Sequence, residues 1–410
     1  MDADGYGMFV CRMQGITVHE RTVKTALRRA DLTGSFVLGK YALAPSMACA
    51  HGCAYCDGRA EKYWVEGVFD RDVVVRTNLA EVLAAEIGKL RERGFVSIGS
   101  GITDAYQPVP EVLAVMRECA AVLARHDFPV VLLTKSALAL RDLDLWSEVN
   151  RRSRFLLVVS LTHSDDRTRA AYEPGASSVD ERLDMLRAFR AAGCATGILA
   201  MPFLPAITDT EENLTCLYDL LAAIGVDFIQ PGDLTLRPGR QKSFFLDRIA
   251  GTRPDLLELY HRLYAEDRRS GAAVRSYREE VYPRALAHNR RVRVSTLPPH
   301  RIYHGVLHRY DETNVLIEHM RELYGAAGVD TRRLDQASQR YRTWLVARKA
   351  VYNRHTRWRY EDLDAELTSA CDGTASPTVE EIVGNERLAA LIRSIVIDRS
   401  VFDYVDRRLV

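Results

Sequence analysis

Three cysteines stand within one octapeptide, Cys49-Ala50-His51-Gly52-Cys53-Ala54-Tyr55-Cys56, at the spacing Cys-x3-Cys-x2-Cys. Iron-sulfur clusters are held by thiolates, and a [4Fe-4S] cube has four irons to serve. Three local thiols leave one iron open. The short spacing suits a single tight loop that must set three sulfurs on three corners of a small cube. His51-Gly52 lets such a loop turn, and Tyr55 puts an aromatic ring beside the third thiol. The same residues also describe a Cys3His zinc site with His51 as fourth ligand, although zinc sites usually bring their ligands as two separated pairs. Cys11, Cys119, Cys194, Cys216 and Cys371 have no close partner in the sequence. They read as small apolar residues of an interior, so neither a disulfide framework nor a second cluster is expected.

The elements that must position this loop alternate regularly. Phe36 to Ala44 reads as a first core strand, and the cysteines follow at its C-terminal end, where an α/β barrel carries its chemistry. Asn78 to Arg93 predicts a helix with Val82, Leu83, Ile87 and Leu90 on one face and Gly94 to stop it. The strand Phe95 to Gly99, the helix Pro110 to Arg125 and the strand Pro129 to Thr134 come next. A helix from about Asp142 to Asn150 leads to the strand Phe155 to Ser160. Ser178 to Glu181 is a capping box opening a helix that Gly193 closes, before the strand Thr196 to Met201. Thr208 to Glu211 repeats that device ahead of Gly225 and the strand Val226 to Gln230. Six strands alternating with helices imply a parallel, right-handed, curled sheet.

Cys-x3-Cys-x2-Cys with an aromatic just before its last cysteine resembles the defining motif of the radical SAM superfamily. The resemblance implies a partial (β/α)6 barrel, open on one side. It also implies a [4Fe-4S] cluster on Cys49, Cys53 and Cys56, with S-adenosylmethionine (SAM) chelating the open iron. An electron from the cluster then cleaves the sulfonium, and a 5'-deoxyadenosyl radical takes a hydrogen atom from substrate. The detailed likeness is to the spore photoproduct lyase-like branch, from about Lys24 to at least residue 300. Thr103-Asp104-Ala105-Tyr106-Gln107-Pro108 is similar to a Thr-Asp-Pro-Tyr-Gln-Pro motif of that branch, and Thr134-Lys135-Ser136 to its Thr-Lys-Ser. Ser160 matches a serine that contacts SAM, Glu173-Pro174 with Arg182 resembles a shared Glu-Pro and arginine, and Ala200-Met201-Pro202 ends the strand that approaches the adenine. The resemblance thus nominates Lys135, Ser160, Asp104, Glu173, Arg182 and Ala200 as cofactor-binding residues. Asp104 would alternatively brace its loop, and Glu173 would pair with Arg182 as a structural bridge.

One departure bears on the chemistry. The photoproduct lyases carry a hydrogen-donating cysteine where this chain has Gly101, which puts the same repair reaction in doubt. Ala44-Pro45-Ser46 likewise stands where many relatives have Asn-Pro-Tyr. These differences point to a subfamily with another substrate, or to one with a tyrosine as the catalytic hydrogen donor, for which Tyr106 is the candidate.

At 410 residues, 47% hydrophobic and 27% charged, the chain suits one large domain with an extension. Residues 1–34 read as an arm, 35–300 as the barrel and 301–410 as a helical extension, whose helices either pack on the barrel or pair two chains. No apolar run approaches a bilayer span, and Asp2, Asp4 and Arg12 break up the N-terminal apolar residues, so a cytoplasmic enzyme is expected. Between Arg237 and Tyr310 there are 16 Lys plus Arg against 7 Asp plus Glu. That excess, with tyrosines at 260, 264, 277, 282, 303 and 310, suggests a nucleic-acid face, unless the charges are solvated and the rings packed inward. His300 and His304 either face substrate or serve as structural hydrogen-bonders. The expected partners are SAM, an external one-electron donor of flavodoxin or ferredoxin type, and a nucleic acid at residues 237–310, with no membrane. A peptide or small metabolite is the alternative substrate, and a non-catalytic protein with a structural Cys-ligated metal is the alternative class.

Overall fold

The computed structural model describes residues 15–34, 37–99, 101–355 and 357–410. The proposed start of the first strand at Phe36, and Ser100 and Cys11, lie outside them. The chain divides into two compact units, one running to Arg29 and over Tyr41–Gly88 and Val96–Thr296, the other over Ala30–Lys40, Lys89–Phe95 and Leu297–Val410.

The strands are β1 (Thr17–Arg21), β2 (Arg28–Arg29), β3 (Gly39–Leu43), β4 (Ser46–Met47), β5 (Asp72–Arg76), β6 (Phe95–Ile98), β7 (Val130–Thr134), β8 (Phe155–Ser160), β9 (Ala195–Phe203) and β10 (Phe228–Asp233). A seven-stranded sheet runs in the order β10-β9-β8-β7-β6-β3-β2. Its pairs from β6 to β10 are all parallel. Every residue of β8 is buried, as expected of a strand covered on both faces.

The covering helices are α1 (Leu79–Ile87), α2 (Pro110–Ala124), α3 (Leu143–Arg152), α4 (Asp166–Tyr172), α5 (Val179–Ala191) and α6 (Glu211–Ile224). The alternation inferred from the sequence is therefore the architecture of the first unit, a sheet whose consecutive strands from β6 to β10 run parallel with helices between them. Behind β10 follow α7 (Arg240–Thr252), α8 (Leu257–Leu263) and α9 (Arg275–Val292).

Three local expectations change. The helix expected over Asn78 to Arg93 stops at Ile87, with Gly88 as its C-cap. Beyond that cap, Glu92 is buried in the second unit, 2.6 Å from Lys40 Nζ, and that ion pair draws the chain away from the helix. The cap of α6 is Thr210, whose side chain accepts from Asn213 N. Thr208 is occupied elsewhere, its hydroxyl accepting from Leu204 N at 2.7 Å. Finally, Thr17–Arg21 is a strand within the segment read as an arm, pairing in parallel with β5, which pairs in turn with β4. Neither β1 nor β5 was read from the sequence, because a separate three-stranded sheet leaves no trace in the strand-helix alternation.

The second unit is helical: α10 (His300–Tyr303), α11 (Arg309–Gly325), α12 (Arg332–Arg354), α13 (Tyr360–Asp372), α14 (Val379–Val383) and α15 (Glu386–Val396). One final helix was expected from Val379. Gly384, at φ +64°, splits it in two, because that left-handed turn suits glycine. The core of the unit gathers Tyr341, Tyr360, Leu363, Leu367 and Ile392. Within it Lys40 and Lys349 share Glu92 and Asp311, each cation within 2.8 Å of both carboxylates. Burial alone would raise the Asp311 pKa, but the two lysines outweigh it and hold it to about 2.

Candidate active site

The cysteine loop follows β4 and is pinned by residues from elsewhere in the first unit. Gly52 turns at φ +63°. Gln107, fully buried, accepts from Ala50 N at 2.7 Å and donates to Ser46 Oγ and the Ala48 carbonyl at 2.9 and 3.2 Å. Ala54 N donates to the Tyr172 carbonyl at 2.8 Å. Gly175 N reaches the His51 carbonyl at 2.9 Å. A Cβ on Gly175 would meet the Ala50 carbonyl at 2.6 Å, so the close approach requires glycine. Behind the loop, Arg59 donates to the carbonyls of Cys53 and Gly52, each at 3.1 Å, and to Asp70 at 2.8 Å.

Cys49 and Cys53 are buried, and Cys56 is half-buried. Burial is the main cause that pushes the Cys53 thiol up to about 12 and raises Cys49 and Cys56 as well; the charges of Asp104, Cys53 and Cys56 add to it at Cys49, and those of Glu173 and Cys56 at Cys53. Three buried thiols that resist ionisation favour a cationic centre that stabilises their thiolates together. Lys135 supplies one positive charge nearby, its Nζ 5.9 Å from the Tyr55 ring centre. Burial works against its ammonium, yet Cys53 and Glu173 outweigh that and raise its pKa. His51 Nε2 is buried with no hydrogen-bond partner, while Nδ1 lies 3.6 Å from Asp104. The donor set, its burial and the adjacent ammonium fit an iron-sulfur group.

Of the residues nominated for SAM, several are brought together as supports. Asp104 accepts from Thr134 Oγ1 and Tyr106 N through Oδ1, and from Lys135 N through Oδ2, at 2.7 to 2.8 Å. Both its oxygens are engaged, so Asp104 serves as the brace that was its alternative reading, holding the backbone at Lys135. Arg182, with no exposed surface, donates to the carbonyls of Ser160 and Ser177 at 2.9 Å and to Glu173 at 2.5 Å. Glu173 also accepts from the Tyr55 hydroxyl and lies 3.5 Å from His163. The two form the buried bridge that was their alternative reading, tying the ring between Cys53 and Cys56 to the end of β8. Burial would raise the Glu173 pKa, but Arg182, with His163 and Lys135, holds it far below the usual carboxylate range. Ala200 is buried in β9, paired with Pro231. Lys135 and Ser160 remain as candidates to touch a ligand.

Tyr106 is a correction of another kind. Its side chain is fully buried, and its hydroxyl donates to Asp142 at 2.9 Å and accepts from Trp146 Nε1 at 2.8 Å. A phenol so engaged is a structural tie. Tyr106→Phe should therefore leave SAM cleavage intact while lowering stability by about 1–3 kcal/mol, as Trp146 N–H loses its acceptor; urea unfolding and a cleavage assay on one preparation would check both.

Of the six tyrosines offered as a stacking surface, Tyr260, Tyr264, Tyr303 and Tyr310 are packed inward, and Tyr277 and Tyr282 are half-buried. In the second unit His300 Nδ1 accepts from Phe402 N at 2.9 Å, which leaves Nε2 protonated and donating to Glu312 at 2.9 Å. His304 Nδ1 bonds the same carboxylate at 2.7 Å, so both histidines are structural hydrogen-bonders. Gln107, Arg59 and His163 were missed as site residues. For Gln107 a signal existed, since it lies within the quoted motif.

A sequence model of the radical SAM superfamily matches residues 43–215, a stretch that contains the three cysteines, Lys135 and Ser160. An uncharacterised protein of Mycobacterium tuberculosis is 32% identical over 278 residues, covering 67% of this chain and 80% of that protein. A radical SAM Nα-GlyT isomerase of Pseudomonas phage M6 is 25% identical over 241 residues, 53% of this chain and 48% of the phage protein. Among solved structures, spore photoproduct lyase complexed with dinucleoside spore photoproduct superposes with a TM-score of 0.51 at 18% identity, over 67% of this chain and 79% of the lyase. That last likeness is one of fold. The chain belongs to the radical SAM superfamily. It is an enzyme of radical chemistry, of a family that uses a [4Fe-4S] cluster and SAM. No helix among the described residues is long and apolar enough to cross a membrane.

Proposed function

We propose that Cys49, Cys53 and Cys56 hold the cluster, that Lys135 and Ser160 hold SAM, and that the substrate is a nucleic-acid component admitted at the C-terminal ends of the strands. When bound, the cluster supplies the electron that cleaves SAM, and SAM supplies the 5'-deoxyadenosyl radical that takes hydrogen from substrate. The chain's own contribution is to fix the loop through Gln107, Arg59 and the Glu173–Arg182 bridge, and to set one ammonium beside the thiols. The observation that carries this reading is the placement of Lys135, whose backbone N–H is tied to Asp104 and whose charge acts on Cys53 and Cys56. A structural zinc site would need no such lysine. An ammonium there offsets the carboxylate of SAM.

Lys135→Met should accordingly weaken SAM about 10- to 100-fold, the worth of one charge-assisted hydrogen bond, while the iron content stays at the wild-type level. Titrating SAM against the electron paramagnetic resonance signal of the reduced cluster reads this directly. Unchanged SAM affinity would remove Lys135 from the site.

The nucleic-acid substrate draws on what the similar proteins handle, a bound dinucleoside photoproduct in the lyase and GlyT for the phage isomerase. The basic segment lends it less support than its composition suggested. Arg237, Arg240, Lys242, Arg284 and Arg291 pair with Asp57, Glu61, Asp267, Asp209 and Asp219. That pairing favours a nucleotide-sized ligand over a long strand held along a basic face. The electron would come from a flavodoxin- or ferredoxin-type donor in a reducing cytoplasm.

A further inference from the structure

The last barrel strand ends in polar side chains to which neither the motifs nor the SAM reading gives a role. Gln230 of β10 pairs in register with Leu199 of β9, and Leu199 with Ser160 of β8. One position earlier Thr134 pairs with Val159, and Lys135 follows directly at the end of β7. Side chains in one row point to one face of a sheet. Gln230 therefore faces the same side of the sheet as Ser160, at the strand ends where Lys135 also stands. It is 7% exposed, and its carboxamide oxygen is buried with no hydrogen-bond partner.

Just beyond, the register shifts between Pro231 and Asp233, bringing Asp233 opposite Phe203. Such bulges re-aim side chains and are frequent beside active sites. Asp233 Oδ1 is also buried without a partner, as are Nε of Arg278 and Nε of Arg284 on α9. Arg278 and Asp233 lie close enough for the guanidinium to pull on the carboxylate's charge. The neighbouring Asp209 is satisfied by contrast, accepting from Ala206 N and the Tyr277 hydroxyl at 2.6 and 2.7 Å. Buried polar atoms without partners are rare in folded proteins. Gln230 and Asp233 at one strand end, the first in the row of Ser160 and the second beside Arg278, mark a surface built to bind something polar.

We propose that Gln230, Asp233 and Arg278 are the substrate-recognition end of this barrel, and that they read a nucleobase together with its phosphate. A carboxamide presents an acceptor beside a donor and so pairs with the adjacent N–H and C=O of a base edge. Arg278 takes the phosphate as a charge-assisted partner. This deepens the proposed function and rests on it.

The test uses the full-length, cluster-loaded protein and three probes: thymidylyl-thymidine, the same dinucleotide lacking both bases, and SAM. Thymidylyl-thymidine should bind the wild type, and Gln230→Leu should weaken it at least tenfold without changing the weaker binding of the base-free compound. Arg278→Gln should weaken both dinucleotides. Iron content and the effect of SAM on the cluster's resonance signal report that each variant has folded. Equal binding of thymidylyl-thymidine to wild type and Gln230→Leu overturns the assignment of Gln230. A wild type that cleaves SAM yet binds the base-free compound as well as thymidylyl-thymidine, or binds neither, overturns the nucleobase and leaves the SAM chemistry standing. A protein that holds no iron overturns both.

Discussion

Cys53→Ala is expected to abolish both the [4Fe-4S] cluster and the reductive cleavage of SAM, with 5'-deoxyadenosine falling to the background of the unloaded protein. With three protein thiolates for four irons, loss of one leaves two irons without a protein ligand, and the cube cannot be held. The fold itself should tolerate the change. The backbone at Cys53 is fixed by bonds that do not involve its sulfur, since its carbonyl accepts from Arg59 Nε at 3.1 Å and from Cys56 N at 3.3 Å. Alanine also fits where cysteine does. Iron per chain and the visible absorption measure the loss, and an unfolding midpoint of the metal-free variant close to that of metal-free wild type shows that the loop survives without the thiol.

The second large effect belongs to the bridge beneath that loop. Arg182→Leu should cost about 3–5 kcal/mol of stability, the usual consequence of removing one partner of a buried ion pair. Glu173 would be left charged in an interior where it is 1% exposed, without its guanidinium partner and with His163, the Tyr55 hydroxyl and the Lys135 charge as its remaining support. The carbonyls of Ser160 and Ser177 would lose their donors at the same time. The double variant Arg182→Leu with Glu173→Gln should be less destabilised than the sum of the single changes, because the stranded charge is gone. Urea unfolding of the metal-free protein, where no cluster contributes, separates these variants. Strictly additive effects would mean that the two side chains do not act as a pair.

The strand-helix alternation was legible because each buried strand is a short apolar run between capped helices, and β6 to β10 fall within a few residues of where the spacing put them. The thiol motif was legible because its chemistry depends on local spacing alone. What stayed hidden depends on contacts distant in sequence. Nothing near Glu92 announces that Lys40 and Asp311 will claim it, and nothing around Thr17 announces a strand that pairs with Asp72–Arg76. Composition likewise overstated the basic segment, since Arg237 and Arg240 find their carboxylates at Asp57 and Glu61, far away along the chain. For the supports of the site, residue type was visible and function was not. Asp104, Glu173 and Arg182 have the chemistry to touch a cofactor, and only their hydrogen bonds show them turned toward Lys135, Tyr55 and Ser160.

The measurement that bears most directly on the account is anaerobic loading with iron and sulfide, followed by reduction in the presence of SAM and assay of 5'-deoxyadenosine, with the Cys53→Ala variant alongside. The account predicts about four irons per chain, a brown protein, and 5'-deoxyadenosine from the wild type alone. A colourless protein that takes up zinc in preference to iron and leaves SAM intact would contradict it.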